Sequence, residues 1–99
     1  HPRVPAGPED AAAAQRFPDG HFDLVFLDGA HDYASVHADI VAWFPKVRPG
    51  GILSGHDYCA RRHRKGVPLA VDEFVAATGL KLELGNGKVW WVRKPEALQ

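Results

Sequence analysis

Cysteine is nearly absent. The lone Cys59 among 99 residues has no partner for an internal disulfide and no CxxC or CxxH company. This excludes a disulfide-stapled secreted scaffold and a zinc knuckle, and a reducing cytoplasm is the expected compartment. Methionine is missing altogether and the chain opens on His1, so it reads as part of a longer translated product. Excess charge is missing as well: 12 Lys plus Arg balance 12 Asp plus Glu. No overall cationic footprint exists for nucleic acid or an anionic membrane surface. No apolar run approaches the ~20 residues needed to cross a bilayer, and HPRVPAGPED lacks the charged, apolar and small-residue order of a signal peptide. A glycine-rich turn opening a helix is also lacking. Gly50 with Gly51 precedes a strand and Gly85 with Gly87 sits in a hairpin signal, so neither pair cradles a phosphate or a cofactor.

What is there suffices for one core, since 45% of the residues are hydrophobic. A chain of this size buries only about 60–65% of its unfolded surface, so a covering partner is expected. Residues 1–9, rich in proline, read as irregular. DAAAAQRF starts a short helix behind Asp10, and Pro18, Asp19 and Gly20 close it with a turn. Phe22 to Asp28 (FDLVFLD) is a continuous apolar run, the pattern of a central parallel strand covered on both faces.

The period then changes. Tyr33, Val36, Ile40, Trp43, Phe44 and Val47 recur at helical spacing, with Ser35, Asp39 and Lys46 read as lying off that stripe. Asp32 is the expected N-cap, and Pro45 should kink or end the helix early. Pro49, Gly50 and Gly51 turn the chain into a second strand, Ile52 to Asp57 (ILSGHD), completing a right-handed βαβ unit. After the loop Tyr58 to Gly66, Pro68 suits a first helical position; Val67, Val71, Phe74, Val75 and Thr78 mark a helix ended by Gly79. LKLEL, the turn residues Gly85, Asn86 and Gly87, and KVWWVRK then read as an antiparallel hairpin. Trp90 and Trp91, adjacent on a strand, must face opposite sides, one of them into the core.

Parallel α/β sheets bind ligands at the carboxyl ends of their strands. Those ends carry Asp28, Gly29, Ala30 and His31 on one strand and Gly55, His56, Asp57 and Tyr58 on the next. Neighbouring strands lie about 5 Å apart, so Asp28 and Asp57 can approach a shared divalent cation with His56 or His31 within reach. Small residues at Gly29 and Gly55 would let a ligand come close. Taken singly, each of these polar residues is an ordinary helix cap or loop histidine; two Asp and two His at adjacent strand ends make a candidate site. The basic run Arg61, Arg62, Arg64 and Lys65 reads as a solvated loop rather than a lid.

FDLVFLDGAHDY, an amphipathic helix, RPGGILSGHDY, GVPLAVDEF and a terminal hairpin together resemble the carboxyl-terminal half of class I S-adenosylmethionine-dependent methyltransferases, nearest the sugar and natural-product O-methyltransferases. The likeness runs from about Asp10 to Lys94, and DGAHDY followed by GHDY is its specific part. It implies an α/β fold, the C-terminal half of a Rossmann-like methyltransferase with parallel strands and a terminal antiparallel hairpin, so that residues 1–99 form one partial domain. It further implies methyl transfer to a hydroxyl of a small molecule, with Asp28 and Gly29 at the cofactor and Tyr58 at the substrate. In metal-dependent relatives the positions of Asp28, His56 and Asp57 hold magnesium, and a His at the position of His31 serves as general base.

Two departures accompany the likeness. His56 offers an imidazole where magnesium prefers oxygen, which favours manganese, iron or zinc, or another role for His56. The family's glycine-rich cofactor turn and its acidic partner have no counterpart in these 99 residues, so the main binding half for S-adenosylmethionine is expected elsewhere. The expected partners are thus a small hydroxylated substrate and either a missing N-terminal half or a second copy, because an uncovered Phe22–Asp28 edge invites pairing. A non-catalytic α/β fragment is the alternative. A weaker one takes the dipeptides His31-Asp32 and His56-Asp57 as ligands of a metal phosphohydrolase, although that family presents its ligands from helices.

Overall fold

A computed structural model describes residues 10–27, 32–58 and 66–96. Asp10–Ala13 form a single helical turn, α1, which tightens to a 3₁₀ turn over Ala14–Arg16. Pro18 follows immediately and cannot continue a helix. Strand β1 is Phe22–Leu27, and helix α2 is Tyr33–Trp43. The start of α2 is fixed locally: the Asp32 carboxylate accepts the Ser35 N–H at 3.0 Å, satisfying one of the first-turn donors. Its end is fixed by Pro45, which has no N–H to give, so Phe44–Lys46 is a 3₁₀ turn.

Strand β2, Val47–Gly55, begins five residues earlier than the expected Ile52. The PGG segment is not a turn preceding the strand but an irregularity inside it. Val47 already pairs with Phe22, and the ladder resumes at Leu24 with Ile52. Gly50, at φ 85°, permits the local distortion. Backbone bonds from Gly50 N–H to Lys94 O and from Lys94 N–H to Gly51 O, both 2.8 Å, pin it to the C-terminal segment. The Lys94 ammonium also donates to Val47 O at 2.8 Å and Phe44 O at 3.3 Å, tying the C-terminal segment to the start of β2 and the turn before it.

Helix α3 is Gly66–Thr78, with Pro68 in its first turn, and Gly79 at φ 75° ends it with its N–H on Val75 O at 2.8 Å. The hairpin consists of β3, Glu83–Leu84, a turn through Asn86–Lys88, and β4, Trp90–Arg93. The sheet order is β1-β2-β4-β3, parallel between β1 and β2 and antiparallel elsewhere. The final strand is thus antiparallel to both neighbours, as expected. The first strand is not central: β1 lies at the edge of the described sheet.

The two sheet faces differ. Val25, Leu27, Leu53, Trp90 and Val92 are buried, together with Val36, Ile40 and Trp43 of α2 and Val67, Ala70 and Val71 of α3. On the opposite face Leu24, Phe26, Ile52 and Trp91 are only half-buried. The two tryptophans therefore split as alternation demands. Asp39 corrects the reading of α2: it is buried, because positions 36, 39, 40 and 43 share one helical face. No helix among the described residues is long and apolar enough to cross a membrane.

Candidate functional site

Strands β1 and β2 end level with each other, Leu27 being paired with Gly55, and the carboxyl ends of adjacent parallel strands are where such sheets bind ligands. Asp28, Gly29 and His31, expected directly after β1, lie outside the described residues, as do Cys59 and the basic run from Arg61 to Lys65. The other half of the expected constellation is described. His56 and Asp57 lie just past the end of β2 rather than within it. His56 Nδ1 is 3.2 Å from Asp57 Oδ1, with the imidazole about half in solvent and the carboxylate largely buried. Among the described residues no group of three His, Cys, Asp or Glu assembles; His56 and Asp57 contribute two donors, one nitrogen and one oxygen, a mixed pair suited to a borderline divalent cation.

Asp57 takes φ 65°. This left-handed backbone disfavours any residue with a Cβ, although Asp tolerates it better than most. Strand β2 has ended two residues earlier, and the Asp57 carboxylate lies beside the His56 imidazole. Tyr58 follows, its N–H donating to Lys88 O at 2.9 Å and its hydroxyl to Asp72 Oδ1 at 2.6 Å. Burial, then the hydrogen bond to Asp72 and that carboxylate's charge, push the phenol up to about 12. Tyr58 therefore stays protonated as a donor, and its hydroxyl is engaged with α3.

Gly55 has a different use from the one expected. A Cβ there would fall 2.5 Å from Trp90 Nε1 and 2.7 Å from Trp90 Cε2. The space a side chain would fill is taken by the buried indole rather than kept for a ligand.

Asp72 and Lys88 are the residues that sequence reasoning missed. The antiparallel pairing of β4 with β2 brings the 85–89 turn to the carboxyl end of β2, and α3 presents Asp72 to Tyr58 fourteen positions away. Nothing local signals either contact. A second polar cluster lies on the helices instead of the strand ends. The Tyr33 hydroxyl donates to Glu73, His37 Nδ1 is 3.8 Å from the same carboxylate, and the Tyr33 and His37 rings stack at 5.6 Å. Both His37 and Glu73 are about half exposed, so the cluster lies on the surface of the helices.

Against known proteins, a family model described as a methyltransferase domain matches residues 2–58. The uncharacterized protein y4gI of Sinorhizobium fredii (strain NBRC 101917 / NGR234) is 41% identical over 76 residues, covering 74% of this chain and 8% of that protein. Among solved structures, a Corynebacterium glutamicum protein aligns at 20% identity and TM-score 0.69, covering 90% of this chain and 46% of its own. The MycE methyltransferase of the mycinamycin biosynthetic pathway, in complex with Mg and SAH, aligns at 26% identity and TM-score 0.62, covering 87% and 28%. The TDP-rhamnose 3'-O-methyltransferase of calicheamicin biosynthesis aligns at 17% and 0.58, covering 87% and 36%. This chain spans less than half of each of these proteins.

Proposed function

The chain belongs to the methyltransferase-domain family, and from that membership we propose that it supplies the catalytic half of an S-adenosylmethionine-dependent methyltransferase acting on a hydroxyl of a small molecule. The observation that carries the reading is the His56 and Asp57 pair held at the carboxyl end of β2, in a fold shared with a methyltransferase solved with Mg and SAH. In this reading His31 removes the acceptor proton, the acceptor oxygen attacks the sulfonium methyl carbon in line, and the carbon–sulfur bond breaks to release S-adenosylhomocysteine. In the same reading Gly29 and Asp28 would line the cofactor, and Tyr58 would stand at the acceptor side. A divalent cation would be held by Asp28, His56 and Asp57; bound there, it lowers the proton affinity of the acceptor hydroxyl.

Asp28→Asn or Asp57→Asn, in a methyl-transferring protein that contains this chain, is expected to weaken metal activation and transfer together, and His56→Asp to shift preference towards magnesium. Assays across a metal series and in chelator test this. Full activity in chelator, with both Asn variants methylating normally, would replace the metal reading with a metal-free one.

The place of β1 at the edge of the described sheet and the half-buried apolar face of Leu24, Phe26, Ile52 and Trp91 support the half-domain part of the proposal. A further half, or a second copy, would continue the sheet at the edge and cover the face. The 99 residues alone should consequently bind S-adenosylmethionine weakly or not at all by calorimetry. Tight saturable binding would mean that the cofactor site is complete in this chain. The phosphohydrolase reading is disfavoured by Asp32, whose carboxylate is engaged in capping α2.

A further inference from the structure

Two residues past the end of β2 the backbone is disfavoured. Asp57 is buried, non-glycine and left-handed at φ 65°, a conformation that persists only where the surroundings impose it. The residue that follows it is held from two sides. The Tyr58 N–H is bonded to Lys88 O in the β3–β4 turn, and its hydroxyl to Asp72 in the second turn of α3. Lys88 is itself left-handed at φ 66°, so the turn that offers its carbonyl is tightly folded. With residue 58 fixed at its main chain and at the tip of its ring, the chain between Gly55 and Tyr58 has little freedom. Immediately before Tyr58, Asp57 holds its left-handed twist with its carboxylate 3.2 Å from His56.

We infer that Asp72 is a positioning residue for the strand-end site: by holding the Tyr58 ring from α3, it keeps Asp57 in the conformation that directs its carboxylate to His56. This rests on the reading of His56 and Asp57 as the functional site. Asp72 touches neither of them and acts only through Tyr58. An uncharged amide would serve as well, since what the phenol needs is an acceptor oxygen. A methyl group would not.

Two measurements test this. In the 99-residue chain, amide hydrogen exchange at Tyr58 should quicken roughly 3- to 10-fold in Asp72→Ala and in Tyr58→Phe, the loss of one ordinary hydrogen bond. It should stay near wild type in Asp72→Asn, while the Leu53 amide in mid-β2 is unchanged in all three. Unchanged exchange at Tyr58 in Asp72→Ala, or equal acceleration at Leu53, overturns the inference. In a methyl-transferring protein containing the chain, Asp72→Ala should raise KM for the acceptor or the half-activating metal concentration by a similar factor. KM for S-adenosylmethionine should not move, Asp72→Asn should restore function, and the Tyr58→Phe/Asp72→Ala double variant should be no worse than either single one. A loss in Tyr58→Phe that Asp72→Ala does not share would mean that the hydroxyl serves the substrate directly, and the inference fails. A wild-type protein that transfers no methyl group overturns the methyltransferase reading instead, and the exchange measurement still decides the clasp.

Discussion

Trp90→Ala is expected to remove about 3–5 kcal/mol of stability, a large share of what a chain of this length holds. The indole is almost completely buried, and β4 sets it against Gly55 of β2 and Leu84 of β3. Removing a large buried aromatic side chain costs about 3–5 kcal/mol, whereas a chain of this length holds only about 5–15 kcal/mol in total. Gly55→Ala attacks the same contact from the other side, since its Cβ would lie 2.5–2.8 Å from three indole atoms. Overpacking of this kind costs about 1–3 kcal/mol. The two substitutions should be coupled, so that Gly55→Ala is much milder on a Trp90→Leu background than on the natural one. Urea denaturation of the four variants, followed by circular dichroism, measures the coupling. Additive effects, or a Gly55→Ala variant as stable as wild type, would show that the glycine is not there for the indole.

That contact also shows where reading a sequence stops. The Asp32 cap, the break at Pro45 and the Gly79 stop were legible because each acts within four residues of itself, through a side-chain oxygen, a missing donor or a permitted positive φ. The hairpin was legible from alternation and turn residues, although only Glu83 and Leu84 of the LKLEL segment join the ladder. The beginning of β2 was not legible. Val47 is extended because Phe22 pairs with it, a fact of tertiary register that the nearby PGG conceals. Asp39 was assigned to the polar face by residue type, although its spacing from Val36 and Trp43 already put it on the buried one. At the site, His56 and Asp57 could be singled out as polar residues following an apolar strand. The bonds from Tyr58 to Asp72 and Lys88, and the indole filling the space at Gly55, arise between elements distant in the chain, and no local pattern encodes them.

The base assignment admits the sharpest functional test, because the helix next to it carries a matched control. His31 stands three residues after Asp28 in the sequence, and an imidazole with an ordinary pKa of about 6.5 is suited to taking a proton near neutrality. General-base removal lowers turnover by about 10² to 10⁴. His31→Ala, in a methyl-transferring protein containing this chain, is expected to reduce kcat by that factor and leave S-adenosylmethionine affinity nearly unchanged. His37 is six residues on, about half exposed, stacked on Tyr33 and 3.8 Å from the Glu73 carboxylate. An exposed pair of this kind contributes at most about 1 kcal/mol, so His37→Ala should leave both turnover and cofactor affinity close to wild type. A pH–rate profile separates the remaining cases: loss of the acidic limb, where the base becomes protonated, in His31→Ala, with the profile of His37→Ala unaltered, assigns the proton transfer to His31. If both variants lose activity equally, the cause is a weakened α2, and the acceptor proton must leave by another route.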